Sequence, residues 1–215
     1  MKKTIYYIDE SQGDIIQFAT RMNSTPNFKV EYLQITDGMS LNDVIEHLSE
    51  QHFECLVVDF FLKQEAKVNF LGDDIVAAYL NRYPNFPILM LSNKDDGAIE
   101  QSEDINVAII RSKREYRENP GLFITRLEKM IENYQDSITQ KSDELENLKL
   151  KEAQGTINAN EEERLIELDA FLDESLDSSN KVPNSARMSS NAKRLDSLIQ
   201  KADIIIRKMT DGEEV

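Results

Sequence analysis

The chain of 215 residues has no tryptophan and a single cysteine, Cys55. One thiol excludes an intrachain disulfide, and its position at the start of an apolar run predicts a buried, unreactive side chain. Histidine is equally scarce: His47 and His52, five apart and without cysteine companions, do not make a metal site. Positive charge is in deficit, with 25 basic residues against 40 acidic and a net charge of −15. That balance opposes any sequence-independent grip on nucleic acid, where lysine and arginine must neutralise phosphates. No apolar run is long enough to span a bilayer, and the one after Met1-Lys2-Lys3 stops at Asp9, too soon for a secretory signal. The expectation is a cytoplasmic protein that contacts neither nucleic acid nor membrane. A glycine-rich phosphate loop, a zinc spacing and a Ser/His/Asp set are also missing, so no enzyme is expected.

An apolar fraction of 40% suits a real core, and the length allows one domain of about 120 residues plus an appendage of similar size. Apolar, β-rich runs at 4–8, 29–35, 54–58, 87–91 and 106–110 alternate with helix-like segments near 12–22, 41–51, 71–82 and 95–102, and a fifth helix begins at about 120. Five repeats of strand then helix predict an α/β fold with a five-stranded parallel sheet covered on both faces. Its strands read as continuous hydrophobic runs because both faces are buried. Ser11 is placed to cap the first helix, Pro84 and Pro87 bracket the turn into the fourth strand, and Asn119-Pro120 offers a cap and an N1 proline to the fifth helix.

Four of the apolar runs end on, or shortly before, a polar group: Asp9-Glu10, Asp59, Ser92 and Lys113. In an open parallel sheet, ligands bind in the crevice outside the carboxyl ends of the strands, so these residues are expected to converge although widely separated in sequence. Two or three carboxylates side by side repel one another, and a hard divalent cation relieves that repulsion. Mg²⁺ suits such a set because it takes a few carboxylate and carbonyl oxygens, keeps waters and favours phosphate oxygens. A carboxylate held there can attack a phosphoryl group and carry it covalently, while the metal and a lysine neutralise the transferring oxygens and a hydroxyl donates a hydrogen bond. A phosphohydrolase of the haloacid-dehalogenase type would need a second aspartate two residues after Asp59, where Phe61 stands instead.

Tyr6-Tyr7-Ile8-Asp9-Glu10, Leu56-Val57-Val58-Asp59, Pro87-Ile88-Leu89-Met90-Leu91-Ser92-Asn93 and Ser112-Lys113 resemble, in order and spacing, the receiver domain of two-component response regulators over roughly residues 3–135. Gly72, in Leu71-Gly72-Asp73-Asp74, looks like the glycine that opens the third helix of that family. The resemblance implies a flavodoxin-like (βα)5 fold in which Asp59 accepts phosphate from a histidine kinase or histidine phosphotransfer protein. It further implies that Asp9, Glu10 and Asp59 hold Mg²⁺ with the backbone carbonyl of Phe61, and that Ser92 and Lys113 contact the phosphoryl oxygens. Three positions depart from the pattern. Ile110 stands where an aromatic switch residue is usual three before the lysine, Arg114 where proline usually follows it, and Lys63 where proline usually stands four after the aspartate.

Beyond the receiver-like part, assigned to 1–120, Leu127, Met130, Ile131, Tyr134, Ile138, Leu145 and Leu148 alternate steps of four and three, with Lys141 in one expected slot. This heptad pattern extends the fifth helix over 121–151, roughly 45 Å. A homodimer through 122–150 covers such a seam, and so does a helical hairpin. In the hairpin, Gly155, Asn158 and Asn160 form the turn, Asn160 caps, and Leu165, Leu168, Phe171, Leu172 and Leu176 face inward. The rest of a helical module, 152–210, comprises a flexible segment at 177–192 and a third amphipathic helix near 192–209, followed by a tail at 211–215. Residues 121–215 hold 13 basic against 20 acidic residues, a balance that suits contacts with a downstream protein better than a DNA-binding output.

Overall fold

The computed structural model describes residues 2–63, 66–93 and 109–176. The expected helix at 95–102, the start of the run at 106–110, the segment at 177–192, the helix near 192–209 and the tail lie outside these residues. The elements in chain order are β1 (Lys3–Asp9), α1 (Gln12–Asn23), β2 (Phe28–Gln34), α2 (Leu41–Ser49), β3 (Cys55–Asp59), α3 (Gly72–Arg82), β4 (Ile88–Ser92), β5 (Ile110–Ser112), α4 (Lys113–Glu118), α5 (Pro120–Ala153) and α6 (Ala159–Leu176).

All strand pairings are parallel, and the sheet order is β2-β1-β3-β4-β5. Successive side chains of a strand point to opposite faces, and here both faces are buried. Ile5 and Tyr7 of β1, with Cys55 and Val57 of β3, pack beneath α1 and α5 against Phe18, Phe123, Leu127 and Ile131. Tyr6, Ile8, Leu56 and Val58 pack on the other side against Val44, Leu48, Ile75 and Val76 of α2 and α3. This two-sided burial explains why the strands show no hydrophobic alternation. The chain first winds from β1 to β2 and then returns across β1 to β3. That reversal sits between β1 and β3, where an open α/β sheet leaves a crevice at the carboxyl ends of its strands.

Gly72 opens α3 under tight constraint. A Cβ there would stand 2.1 Å from the Asp59 carbonyl oxygen and 2.9 Å from its carbon, and the Gly72 amide donates to Phe60 O at 2.9 Å. Glycine lets the start of α3 lie directly against the end of β3. The fifth strand differs from expectation: the described part is Ile110–Ser112, and a short helix, α4, follows at once before Asn119 and Pro120. Two expected caps also change. Ser11 and Asn119 occupy N-cap positions, but neither side chain makes the capping bond. Asn119 has φ −126° and ψ 59°, and the Ser11 amide instead donates to Asp9 Oδ1 at 2.9 Å.

The heptad residues are covered within the chain. Phe123, Leu127 and Ile131 at the start of α5 are buried on the sheet, while Leu145 and Leu148 further along pack against Leu165, Leu168 and Leu172 of α6. At 34 residues α5 is about 51 Å long. It ends in a Schellman turn: Gly155, at φ +68°, donates to Glu152 O at 3.0 Å, and the Thr156 amide donates to Lys151 O at 3.0 Å. The cap of α6 is Asn158 rather than Asn160. Its Oδ1 accepts the Glu161 amide at 3.1 Å, and Glu161 Oε2 accepts the Asn158 amide at 3.1 Å, a reciprocal capping box. Lys141, the polar residue in the seam, places its Nζ 3.3 Å from the centre of the Phe171 ring on α6, a cation–π contact across the hairpin.

Candidate functional site

Four chain segments meet at the carboxyl edge of the sheet. Asp9 ends β1 and Asp59 ends β3, and each is at most 5% exposed. Lys113 is the first residue of α4 and is 2% exposed. Its Nζ lies 2.8 Å from Asp9 Oδ2, 2.8 Å from Asp59 Oδ1 and 2.6 Å from Asp14 Oδ2. A cation at a helix N-terminus opposes the helix dipole, and three carboxylates outweigh that penalty here. Asp14, in the first turn of α1, also accepts from Arg117 at 3.0 Å, so it ties α1 to α4. Asp9 is held from all sides: Tyr7 Oη donates to Oδ2 at 2.5 Å, Lys113 donates to the same atom, and the Ser11 amide donates to Oδ1.

A cavity of about 90 Å³ lies over this cluster, bordered by Asp9, Glu10, Asp14, Asp59, Phe61, Asn93 and Lys113. Glu10 is buried, and its Oε2 accepts the Ala66 amide at 3.0 Å, reaching from β1 to the loop after β3. Ser92 is fully buried at the end of β4, in register with Ser112 of β5. The residue that borders the cavity here is its successor, Asn93, just beyond β4. Ile110 is buried beside Phe60 and Met90, so an aliphatic side chain packs where the family resemblance predicts a ring.

Burial pushes the Asp59 carboxyl up to about 7, against the pull of Lys113 and with the push of the nearby Asp9 charge. Burial also opposes the Lys113 charge, but Asp59 and Asp9, with hydrogen bonds to Asp14 and Asp59, hold the ammonium above its ordinary value. The Tyr7 hydroxyl is raised well above its usual range by burial and then by Asp9. Burial likewise pushes the Cys55 thiol up, which leaves it inert as expected.

Asp9, Glu10, Asp59, Phe61 and Lys113, named from the sequence, therefore share one cavity. Asp14, Arg117 and Tyr7 were missed. A doubly wound parallel sheet of order 2-1-3-4-5, with a buried Asp-Asp-Lys cluster at its topological switch point, decides the architecture. The chain has the receiver fold.

No protein-family model matches the sequence, and no curated protein matches it. Solved structures similar to this receiver fold include a fusion protein carrying a trimeric coiled-coil segment of yeast Spc42, with a TM-score of 0.50 at 16% identity over 72% of this chain and 92% of that one. The signal receiver domain of an HD domain-containing protein from Pseudomonas fluorescens Pf-5 gives a TM-score of 0.48 at 12% identity, covering 63% of this chain and 91% of that one. The response regulator domain of Thermotoga maritima CheB gives 0.46 at 12% identity, covering 61% and 98%. At these identities the likeness concerns the fold alone. Among the described residues, no group of three acidic, histidine or cysteine side chains is left placed to hold a metal ion, and no helix is long and apolar enough to cross a membrane. Asp9 and Asp59 turn onto Lys113 Nζ instead.

Proposed function

We propose that the chain is a cytoplasmic phosphoacceptor of a phosphorelay, in which Asp59 takes a phosphoryl group from a histidine kinase or histidine phosphotransfer protein. The observation that carries this reading is the 2.8 Å bridge from Lys113 to both Asp9 and Asp59 beneath a small, solvent-connected cavity. An Asp59 oxygen forms a bond to phosphorus as the phosphorus–nitrogen bond of the donor histidine breaks, and the imidazole nitrogen keeps the bonding pair. Lys113 exchanges one of its carboxylate partners for a phosphoryl oxygen, and Asn93 and the neighbouring Ser92 supply polar groups from the end of β4. Asp14 and Arg117 hold the lysine in place.

The donor chemistry of the cavity is hard oxygen, which suits Mg²⁺. Asp9, Glu10, Asp59 and the carbonyl of Phe61 would hold the ion, and its charge would offset that of the carboxylates and the incoming phosphate. Phosphorylation adds about two negative charges to this edge. The module formed by α5 and α6 works through contacts with a downstream protein and turns over no substrate of its own. A homodimer through 122–150 would use the outward face of α5, where Leu122 and Leu150 stand exposed, because Leu127, Ile131, Leu145 and Leu148 are buried within one chain. Light scattering reads that directly.

Incubation with acetyl phosphate and Mg²⁺ followed by intact-mass measurement tests the main reading. One phosphoryl adduct on the native chain that is lost in Asp59→Ala is expected. Absence of an adduct with every donor would favour a receiver-fold adaptor that works without phosphate, the role that Ile110, buried in place of a switch ring, is compatible with.

A further inference from the structure

At the opposite edge of the sheet, by the amino-terminal ends of β1 and β3, lies a second and larger cavity of about 380 Å³. Small-molecule sites commonly occupy about 300–1,000 Å³. One wall is aromatic, and the rest is largely polar, with Gln51, His52, Glu54 and Gln135 among the lining residues. Tyr79 and Tyr83 of α3, Phe86 before β4 and Tyr134 of α5 form a continuous run, with ring centres 4.8 Å (Tyr79–Tyr83), 5.3 Å (Tyr79–Phe86) and 5.5 Å (Phe86–Tyr134) apart. Phe53 extends the run from the other side, and Ser175 near the end of α6 closes it.

Tyr83 Oη is buried with no hydrogen-bond partner among the described residues, whereas the buried hydroxyls of Tyr134 and Ser175, which border the same cavity, face each other. Tyr83 is 5% exposed, so its hydroxyl has given up bulk water without receiving a protein partner. Such groups are rare because they are costly. An unpartnered hydroxyl on the wall of a cavity is the pattern expected of a site whose remaining partner comes from outside the chain. Charge does not dominate the recognition. Glu54 is engaged by the Thr4 amide at 2.6 Å, and Lys2 Nζ donates to Thr25 O at 3.3 Å. Aromatic walls reward a flat ring, and hydroxyls that both donate and accept reward ring nitrogens and exocyclic amines.

We propose that this cavity binds a small, uncharged heteroaromatic molecule that stacks among Phe53, Tyr79 and Phe86 and hydrogen-bonds to Tyr83. The site is built jointly by the sheet, α3 and the α5–α6 hairpin, so an occupant adds contacts between the hairpin and the receiver fold. It is independent of phosphoryl chemistry at Asp59, at the other edge of the sheet.

The test is titration of the 215-residue chain with adenine and with benzimidazole, followed by ligand-observed NMR. Saturable binding below about 1 mM is expected for at least one of them. It should weaken about fivefold or more in Tyr83→Phe and disappear in Ser175→Phe, which fills the cavity from its rim. Failure of both probes to saturate overturns the proposal, as does binding unchanged in Ser175→Phe. A thermal melt gives a second arm that needs no ligand. Tyr83→Phe should unfold at the same temperature as the parent or higher, because the lost hydroxyl was unpaired. A clear drop would mean that an ordered water or the chain already satisfies it, and would remove the basis for a ligand.

Discussion

Replacing Asp59 with asparagine in metal-free buffer isolates the electrostatic strain of the acidic cavity. Burial, against the attraction of Lys113 and with the repulsion of Asp9, raises the Asp59 carboxyl from 3.8 to about 7. The folded state therefore binds this proton more tightly than the unfolded chain does. The stability that the group contributes is fully present below about pH 4 and is lost as the pH rises through about 7. A shift of about three units at about 1.4 kcal/mol each sets an upper figure near 4 kcal/mol. Asparagine does not titrate, and the poorer acceptor it offers Lys113 is a constant offset while the lysine stays charged. Unfolding by urea, which is uncharged and adds no screening, in a low-salt buffer with a trace of EDTA reads the difference between variant and parent. That difference should move in favour of Asp59→Asn by about 2–4 kcal/mol between pH 4 and pH 8. A difference that stays flat with pH, or that moves in favour of the parent, would refute the reasoning.

Three further outcomes follow from the geometry. Gly72→Ala puts a methyl group 2.1 Å from the Asp59 carbonyl oxygen, so it should cost at least about 2 kcal/mol in urea unfolding and slow adduct formation at Asp59; a change under about 0.5 kcal/mol would contradict the close approach. Lys113→Met leaves Asp9 and Asp59 buried without their cation and should cost about 3–5 kcal/mol at pH 8. The cost should be smaller at pH 5, where Asp59 is protonated; a cost that grows on acidification would argue against the cluster. Leu168→Ala, at a site 1% exposed in the hairpin, should lose about 2–5 kcal/mol of local stability. Hydrogen exchange should then quicken between 138 and 172 while β1 and β3 keep their protection, and equal loss of protection in the sheet would show that hairpin and sheet unfold as one unit.

The positions of β1 to β4 were readable to within a residue or two because both faces of a parallel sheet are buried, and continuous apolar runs follow from that alone. Asp9 and Asp59 were readable for a related reason, since strand ends in such a sheet converge whatever lies between them, while the choice of Lys113 over Arg111 and Arg114 came from the family resemblance. Gly72 was legible by resemblance, and the structure supplies the cause in the approach of the Asp59 carbonyl. Asp14 was not legible. It belongs to the site because α1 turns its first helical turn toward a lysine 99 positions away, and no local pattern encodes that orientation. Asn158 and Asn160 are equally good caps by residue type, and the choice of Asn158 depends on where the Schellman turn at Gly155 releases the chain.

Local preference, charge balance and the spacing of apolar residues were enough to establish an acidic α/β chain with a long amphipathic helix, because each of those properties is set by neighbours within a few turns or one strand. Whether the heptad seam would meet a second copy or fold back, which tyrosine hydroxyl would be stranded, and what Lys141 would face depended on how α5 and α6 pack against each other and the sheet. Those outcomes turn on contacts between residues far apart in the chain, where several pairings bury similar apolar area and the final geometry alone selects among them.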